Sequence, residues 1–125
     1  MSEIGTSNLE AAKAQAIAAR TYAVYKGVLA GKAISDSASI AQSYRAPRYA
    51  SGLYPICVQG TNETKGQILS YNGTVINAVY SDSNGGRTYS AKEVWGSAKA
   101  CLVARTDAWD AATGKKKNGH GVGMS

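Results

Sequence analysis

The chain concentrates its reactive groups in a few places. It has eight Asp and Glu residues, two cysteines and a single histidine among 125 residues. That histidine, His120, sits between glycines in the closing stretch "GHGVGMS". Most carboxylates have other readings. Glu10 and Glu93 read as capping-box partners of Ser7 and Ser90, where each carboxylate reaches back to the cap amide. Asp107 and Asp110 flank Trp109 as surface groups, and Asp36 and Glu63 fall in loops. Glu3 has no structural task beyond that of a terminal residue, and it lies just ahead of the positive end of a helix. Taken alone it reads as a terminal residue, with acid–base work as the alternative. Gly85-Gly86 and Gly119–Gly123 can present backbone amides to a ligand without side-chain obstruction. Other chemistries lack their residues. There is no GxxxxGK[ST] phosphate loop and no GxSxG elbow. Cys57 and Cys101 stand in apolar, strand-like runs, where a thiol is inert. They read as two buried thiols, with a single disulfide as the rival reading. Two thiols and one imidazole make a poor zinc site.

The elements that must position these groups follow from periodicity. Residues 7–26, "SNLEAAKAQAIAARTYAVYK", predict an alanine-rich helix that Gly27 or Gly31 can end. Its stripe Leu9, Ala12, Ala16, Ala19 and Ala23 has helical spacing. Such small side chains let another backbone come close. Lys13 and Arg20, seven apart, share one face. Residues 32–55 predict a long, partly irregular loop. "ICVQG" predicts a strand. "QILSYNGTVINAVYS" predicts a hairpin with a type I′ turn at Asn72-Gly73, pairing Tyr71 with Thr74 and Leu69 with Ile76. Leu69, Tyr71, Thr74, Ile76, Ala78 and Tyr80 then share a face, read as the core face. "SAKEVWG" predicts a short helix capped by Ser90, "KACLVART" another strand, and the tail a loop.

Composition sets outer limits. Apolar residues make up 44% of the chain, enough for one sizeable core, and the length suits one domain spanning residues 1–125. The balance of 14 Lys+Arg against 8 Asp+Glu gives a net charge of +6, a general affinity for polyanions. The basic residues are scattered apart from Lys115–Lys117, with no zinc-finger spacing or aromatic RNA-binding signature, so nucleic acid is not the expected partner. No run of about eighteen apolar residues is present, which excludes a membrane span within this sequence. "MSEIGTS" lacks the basic start and apolar centre of a signal peptide. The expectation is a domain of a longer exported protein.

Three stretches together resemble one family. "SEIGTSNLEAAKAQAIAARTYAVYK" resembles the opening of the SpoIID/LytB (stage II sporulation protein D, amidase enhancer) domain. That opening runs S-E-[MI], a short spacer, then E-A-[LA]-K-A-Q-A-x-A-A-R-T-Y. "VINAVYSDSNGGRTYSAKEVWG" is similar to the family's central A-x-Y-S-x-S-x-G-G-x-T motif with its following Glu-Val-Trp, and "GHGVGMS" to its closing motif. All three occur in the family's order and cover nearly the whole chain.

The resemblance implies an α+β fold, a long alanine-rich helix on a mostly antiparallel sheet with short additional helices. It implies an extracytoplasmic, cell-wall enzyme, a lytic transglycosylase that cuts the MurNAc–GlcNAc bond of peptidoglycan glycan strands, preferably peptide-free, and leaves 1,6-anhydro-MurNAc ends. By position in the opening motif the catalytic glutamate is Glu3, not Glu10. One carboxyl suffices for this reaction, acting first as acid and then as base. It needs apolar cover to raise its pKa, whereas the nearby helix N-terminus pulls the other way. Arg20, Tyr80, Ser83, Gly85, Gly86, Thr88 and His120 are the expected substrate-binding residues, with Arg20 alternatively anchoring the site's wall. Tyr44 or Trp109 offers a ring to a sugar face. Some relatives carry His and Cys in the segment matching "DSASIAQSY" and hold zinc there. This chain has neither, so no metal or other cofactor is expected. The rival reading is a non-catalytic glycan-binding module that enhances a cell-wall amidase. A polyanion-binding module built on Lys115–Lys117 is the weaker third.

Overall fold

A computed structural model describes residues 8–34 and 55–125. Within them the architecture is α+β, a long N-terminal helix, one two-stranded antiparallel hairpin and short helices. The described chain divides into two compact units, residues 8–34 with 55–77, and residues 78–125. No helix among the described residues is long and apolar enough to cross a membrane.

In the first unit, α1 spans Leu9–Ala23. Its cap is Asn8, whose side chain accepts from the amides of Glu10 and Ala11. The helix thus starts one residue later than the Ser7 capping box predicts, because Asn caps as well as Ser. Glu10 is left free to pair with Lys13 at 2.9 Å. A π-helical turn, Val24–Val28, continues the helix. Gly31 ends it at φ +62°, with Gly31 N–H donating to Val28 O and Lys32 N–H to Gly27 O. Those two bonds are the Schellman pair that a left-handed glycine permits.

The second helix, α2, is Pro55–Glu63, where "ICVQG" had predicted a strand. Pro55 occupies the first helical position, the one place a helix accepts it readily. Cys57, Gly60 and Thr64 are buried at spacings of three and four. That period becomes visible only when the window runs past Gly60. Thr61 and Thr64 hydroxyls return to carbonyls four residues back, at 2.8 Å each. The small-residue stripe of α1 does what its composition predicts. Ala12 and Ala16 are buried, and Gly60 lies so near that a Cβ there would stand 3.0 Å from the Ala12 carbonyl carbon and the Lys13 amide nitrogen.

The hairpin pairs β1 (Ser70–Tyr71) with β2 (Thr74–Val75), Tyr71 opposite Thr74. Asn72 at φ 49° and Gly73 at φ 78° form the predicted turn. The Ile76 amide donates to Leu69 O, so the predicted register holds. The ladder stops there, short of Tyr80. The predicted core face is not one, since Leu69 and Tyr71 are exposed at 42% and 47%. The sheet is only this hairpin, so α1 packs on α2, and it meets the hairpin strand end where Leu69 N–H donates to the Thr21 hydroxyl at 2.9 Å.

In the second unit, α3 (Ala91–Trp95) is the predicted short helix, with its Ser90–Glu93 capping box complete and Gly96 closing it at φ 75°. A further helix, α4 (Ala108–Ala112), stands where a loop was expected, capped by Asp107. "KACLVART" is not a strand. It makes one isolated bridge, Thr106 to Arg87. Its Arg105 amide bonds the Thr88 hydroxyl in place of a ladder carbonyl.

Gly60→Ala tests the helix contact. Alanine gains about 1 kcal/mol of helix propensity, but overpacking against backbone costs about 1–3 kcal/mol. The variant should melt below the native chain in a thermal denaturation followed by far-UV circular dichroism.

Candidate functional site

The loop "SDSNGG" is built around a carboxylate supplied by α4. Asp110 Oδ2 accepts from the Ser83 hydroxyl at 2.8 Å and from the amides of Asn84 at 2.9 Å, Gly85 at 2.7 Å and Gly86 at 3.3 Å. Three successive amides can converge because Gly85 and Gly86 take φ of +75° and +101°. Asn84 reinforces the turn, accepting from Gly86 N–H at 2.8 Å and donating to Asp107 Oδ2 at 2.8 Å. Burial alone would raise the Asp110 pKa. The Ser83 hydroxyl and the Gly85, Gly86 and Asn84 amides outweigh it and hold the carboxyl below its usual value.

The glycine-rich tail runs against this loop. Asn118 and Ser83 exchange backbone hydrogen bonds at 2.9 and 3.4 Å, and Asn118 Nδ2 donates to Asp82 Oδ2 at 3.0 Å. Tyr89 N–H donates to Gly121 O, and Ser81 N–H to Met124 O. Tail glycines make this approach possible. At Gly121 a Cβ would stand 3.0 Å from a ring carbon of Tyr89, and at Gly123 (φ +77°) it would collide with the Val79 carbonyl oxygen. Val122, between them, is fully buried.

His120 is half-buried and fixed within this tail. Its Nδ1 accepts from the Val122 amide at 2.9 Å, which places the ring proton of the neutral form on Nε2. Burial lowers its pKa. A hydrogen bond with the Tyr80 backbone opposes this, and the Lys117 charge adds to the lowering. The imidazole packs on Trp95, with centroids 5.2 Å apart and planes tilted by 59°. Lys117 Nζ lies 4.4 Å from the centroid of the Tyr89 ring and the Arg87 guanidinium 4.9 Å from it. Arg87 also pairs with Glu93 at 2.7 Å. Arg87 first, then the Ser90 amide and hydroxyl, bring the Glu93 pKa down to about 2.

The structure therefore brings together most of the residues the sequence singles out. Tyr80, Ser83, Gly85, Gly86, Thr88 and His120 all lie in the second unit. Tyr80 bridges Met124. Ser83 is fully buried and its hydroxyl is given to Asp110. The glycine amides expected to face a ligand face Asp110 instead. Thr88 is tied to Arg105 through backbone and hydroxyl. Arg20 belongs to the first unit, where its guanidinium donates to the carbonyls of Thr64 at 2.7 Å, Gln67 at 2.8 Å and Thr61 at 3.3 Å. It closes the C-terminal end of α2 and the turn that follows. Lys13, on the same face, reaches Glu63 at 2.8 Å. Glu3 and Tyr44 lie outside the described residues.

Two groups were missed or misread. Asp107 and Asp110, read as surface groups, organise the loop. The signal available was their spacing, since an Asp three residues ahead of a second acid can cap a short helix. Trp95 beside His120 had no signal at all, because the two are distant in sequence. Both cysteines are free. Cys57 is buried, but in a helix rather than a strand, and Cys101 is partly exposed. No three His, Cys, Asp or Glu side chains cluster to hold a metal ion among the described residues.

Comparison with known proteins agrees with the family resemblance. Residues 2–71 match the model of the SpoIID family, described as stage II sporulation protein. The chain belongs to the SpoIID family. It is also 39% identical over 107 residues to a Bacillus subtilis (strain 168) protein named "Amidase enhancer", covering 86% of this chain and 14% of that relative. The chain thus spans a small part of the curated relative it matches.

Two outcomes follow from this geometry. Asp110→Asn should lower the melting temperature by more than Asp82→Asn does, since Asp110 Oδ2 takes four donors and Asp82 Oδ2 takes the Asn118 amide. Differential scanning calorimetry of both variants checks it. The second concerns His120, whose folded pKa lies below its ordinary value of 6.5. Below pH 6.5 the unfolded chain takes up a proton that the folded chain resists. Its contribution is thus present above that pH and lost as pH falls through the interval down to the folded pKa. Melting temperature measured across this interval should fall for the native chain, and the His120 step should vanish in His120→Asn.

Proposed function

We propose that the chain is a peptidoglycan lytic transglycosylase domain that acts outside the cytoplasm and cleaves MurNAc–GlcNAc bonds to leave 1,6-anhydro-MurNAc ends. The observation that carries this reading is the family match over residues 2–71, a range that includes Glu3 at the motif's acidic position. Glu3 protonates the glycosidic oxygen as the bond to C1 breaks. It then takes the proton of the C6 hydroxyl as that oxygen closes on C1, and so returns to its starting form. No water is consumed, so no second carboxylate is needed to activate one.

The second unit would form a wall for the glycan strand. Tyr80, Gly85, Gly86, Thr88 and His120 retain exposed surface, and we assign them to sugar contact. Ser83, being buried, shapes the loop from beneath, and Arg20 holds α2. No cofactor or metal enters this reaction.

The relative's name supports a second reading, a glycan-binding module that enhances a cell-wall amidase without cutting the strand. Mass spectrometry of peptide-free glycan strands incubated with the native chain and with Glu3→Gln separates the two. Anhydro-ended fragments are expected from the native chain alone. Reducing ends would mean hydrolysis and defeat the mechanism. Intact strands that are still bound would leave the binding module as the function.

A further inference from the structure

We propose that Trp95 is the stacking platform for a sugar ring of the bound glycan, with His120 as the residue that sets its orientation. This rests on the reading that the chain binds glycan, and it assigns the aromatic contact to a residue that the sequence motifs place only as part of a helix.

The indole is held in a way that surface aromatics seldom are. Trp95 is the last residue of α3. The start of that helix is fixed by the Ser90–Glu93 capping box, by the Arg87–Glu93 pair at 2.7 Å and by Ala91, which is buried and bonded to Leu102 O. Its end is fixed by Gly96, whose N–H donates to Lys92 O at 2.9 Å. The side chain then meets the half-buried imidazole at 5.2 Å, and that imidazole is itself fixed by the Val122 amide. Nevertheless 48% of Trp95 stays exposed. Nothing lies within 4 Å of where a Gly96 Cβ would stand, so the backbone that follows the indole is open on that side.

A half-covered indole that packs on an imidazole suits a pyranose. The C–H face of the sugar carries slight positive charge and meets the negative face of the ring, while the hydroxyls around its edge find polar groups at the margin. Because the ring is ordered beforehand, binding loses little side-chain entropy. Trp109, the other tryptophan, is 88% exposed and would have to be ordered on binding. Its exposure makes it the poorer platform even though it presents more surface.

The test uses the full chain and peptide-free glycan strands of defined length. Affinity is measured by isothermal titration calorimetry for the native chain, Trp95→Ala and Trp95→Phe. Tryptophan emission is followed during the same titration in Trp95→Phe and Trp109→Phe. Trp95→Ala should weaken binding about tenfold, with Trp95→Phe recovering most of the loss. The glycan-induced change in emission should persist in Trp109→Phe and disappear in Trp95→Phe. Should Trp95→Ala fold poorly, the emission experiment decides alone. Equal affinity of the native chain and a folded Trp95→Ala would overturn the platform while leaving glycan binding intact, as would an emission change that follows Trp109. A native chain that binds no glycan would overturn the platform and the glycan reading together.

Discussion

The second unit depends on one carboxylate oxygen. Asp110 Oδ2 collects a hydroxyl and three successive backbone amides from the loop 83–86. These residues make no ladder of their own beyond the bridge at Ser83. Without that acceptor, the Gly85 and Gly86 amides would keep only the local Ser83 and Asn84 side-chain oxygens, and glycine-rich backbone has little intrinsic reason to stay so arranged. With it, Ser83 is presented to Asn118, and the tail is aligned so that Tyr89 and Ser81 can bond Gly121 and Met124. The position of His120 is therefore inherited, through backbone hydrogen bonds, from a charge on α4.

The first unit uses the opposite charge for the complementary task. There the groups in need of partners are carbonyls at the end of α2, and the Arg20 fork supplies donors to three of them. A guanidinium near a helix C-terminus also meets the negative end of the helix dipole. Lysine could not serve as well, since its ammonium lacks the planar fork. This anchoring works because α1 and α2 are already in near contact at Ala12 and Gly60, where neither residue has a side chain large enough to hold the backbones apart. Small residues set the distance, and the long cation then fixes the register.

What was legible in the sequence divides along the range of the interactions. Local signals were read well. The Asn72-Gly73 turn, the Ser90–Glu93 capping box and the alanine stripe each depend on residues within one turn or one hairpin of each other. Errors arose where a distant partner decides. "ICVQG" has the β-branched residues of a strand, but Pro55 before it and a buried Gly60 facing α1 make it helical. "KACLVART" has the continuous apolar run of a buried strand, but Thr88 meets it with a hydroxyl. Asp110 looked like a surface acid because nothing in "TDAWDAAT" announces that the loop it serves lies some twenty-five residues earlier. The family resemblance survived these errors, since it rests on residue identities and their order rather than on secondary structure.

The electrostatics of the described residues bear on how catalysis and binding can be shared out. A general acid working near neutral pH needs a carboxyl held above its ordinary pKa. The described carboxyls whose pKa values are displaced, Glu63, Glu93 and Asp110, are all displaced downward, each by donors it serves structurally. The imidazole is displaced downward too, so it is kept neutral and its Nδ1 is engaged by a backbone amide. These four groups are thus tuned to hold shape rather than to deliver a proton. A transglycosylase reading consequently rests on Glu3 as the proton donor, whereas a binding reading asks nothing of it. On the proposed reading, a surface for sugar and a carboxyl that breaks the strand make separate demands on the sequence, and the first can be met without the second.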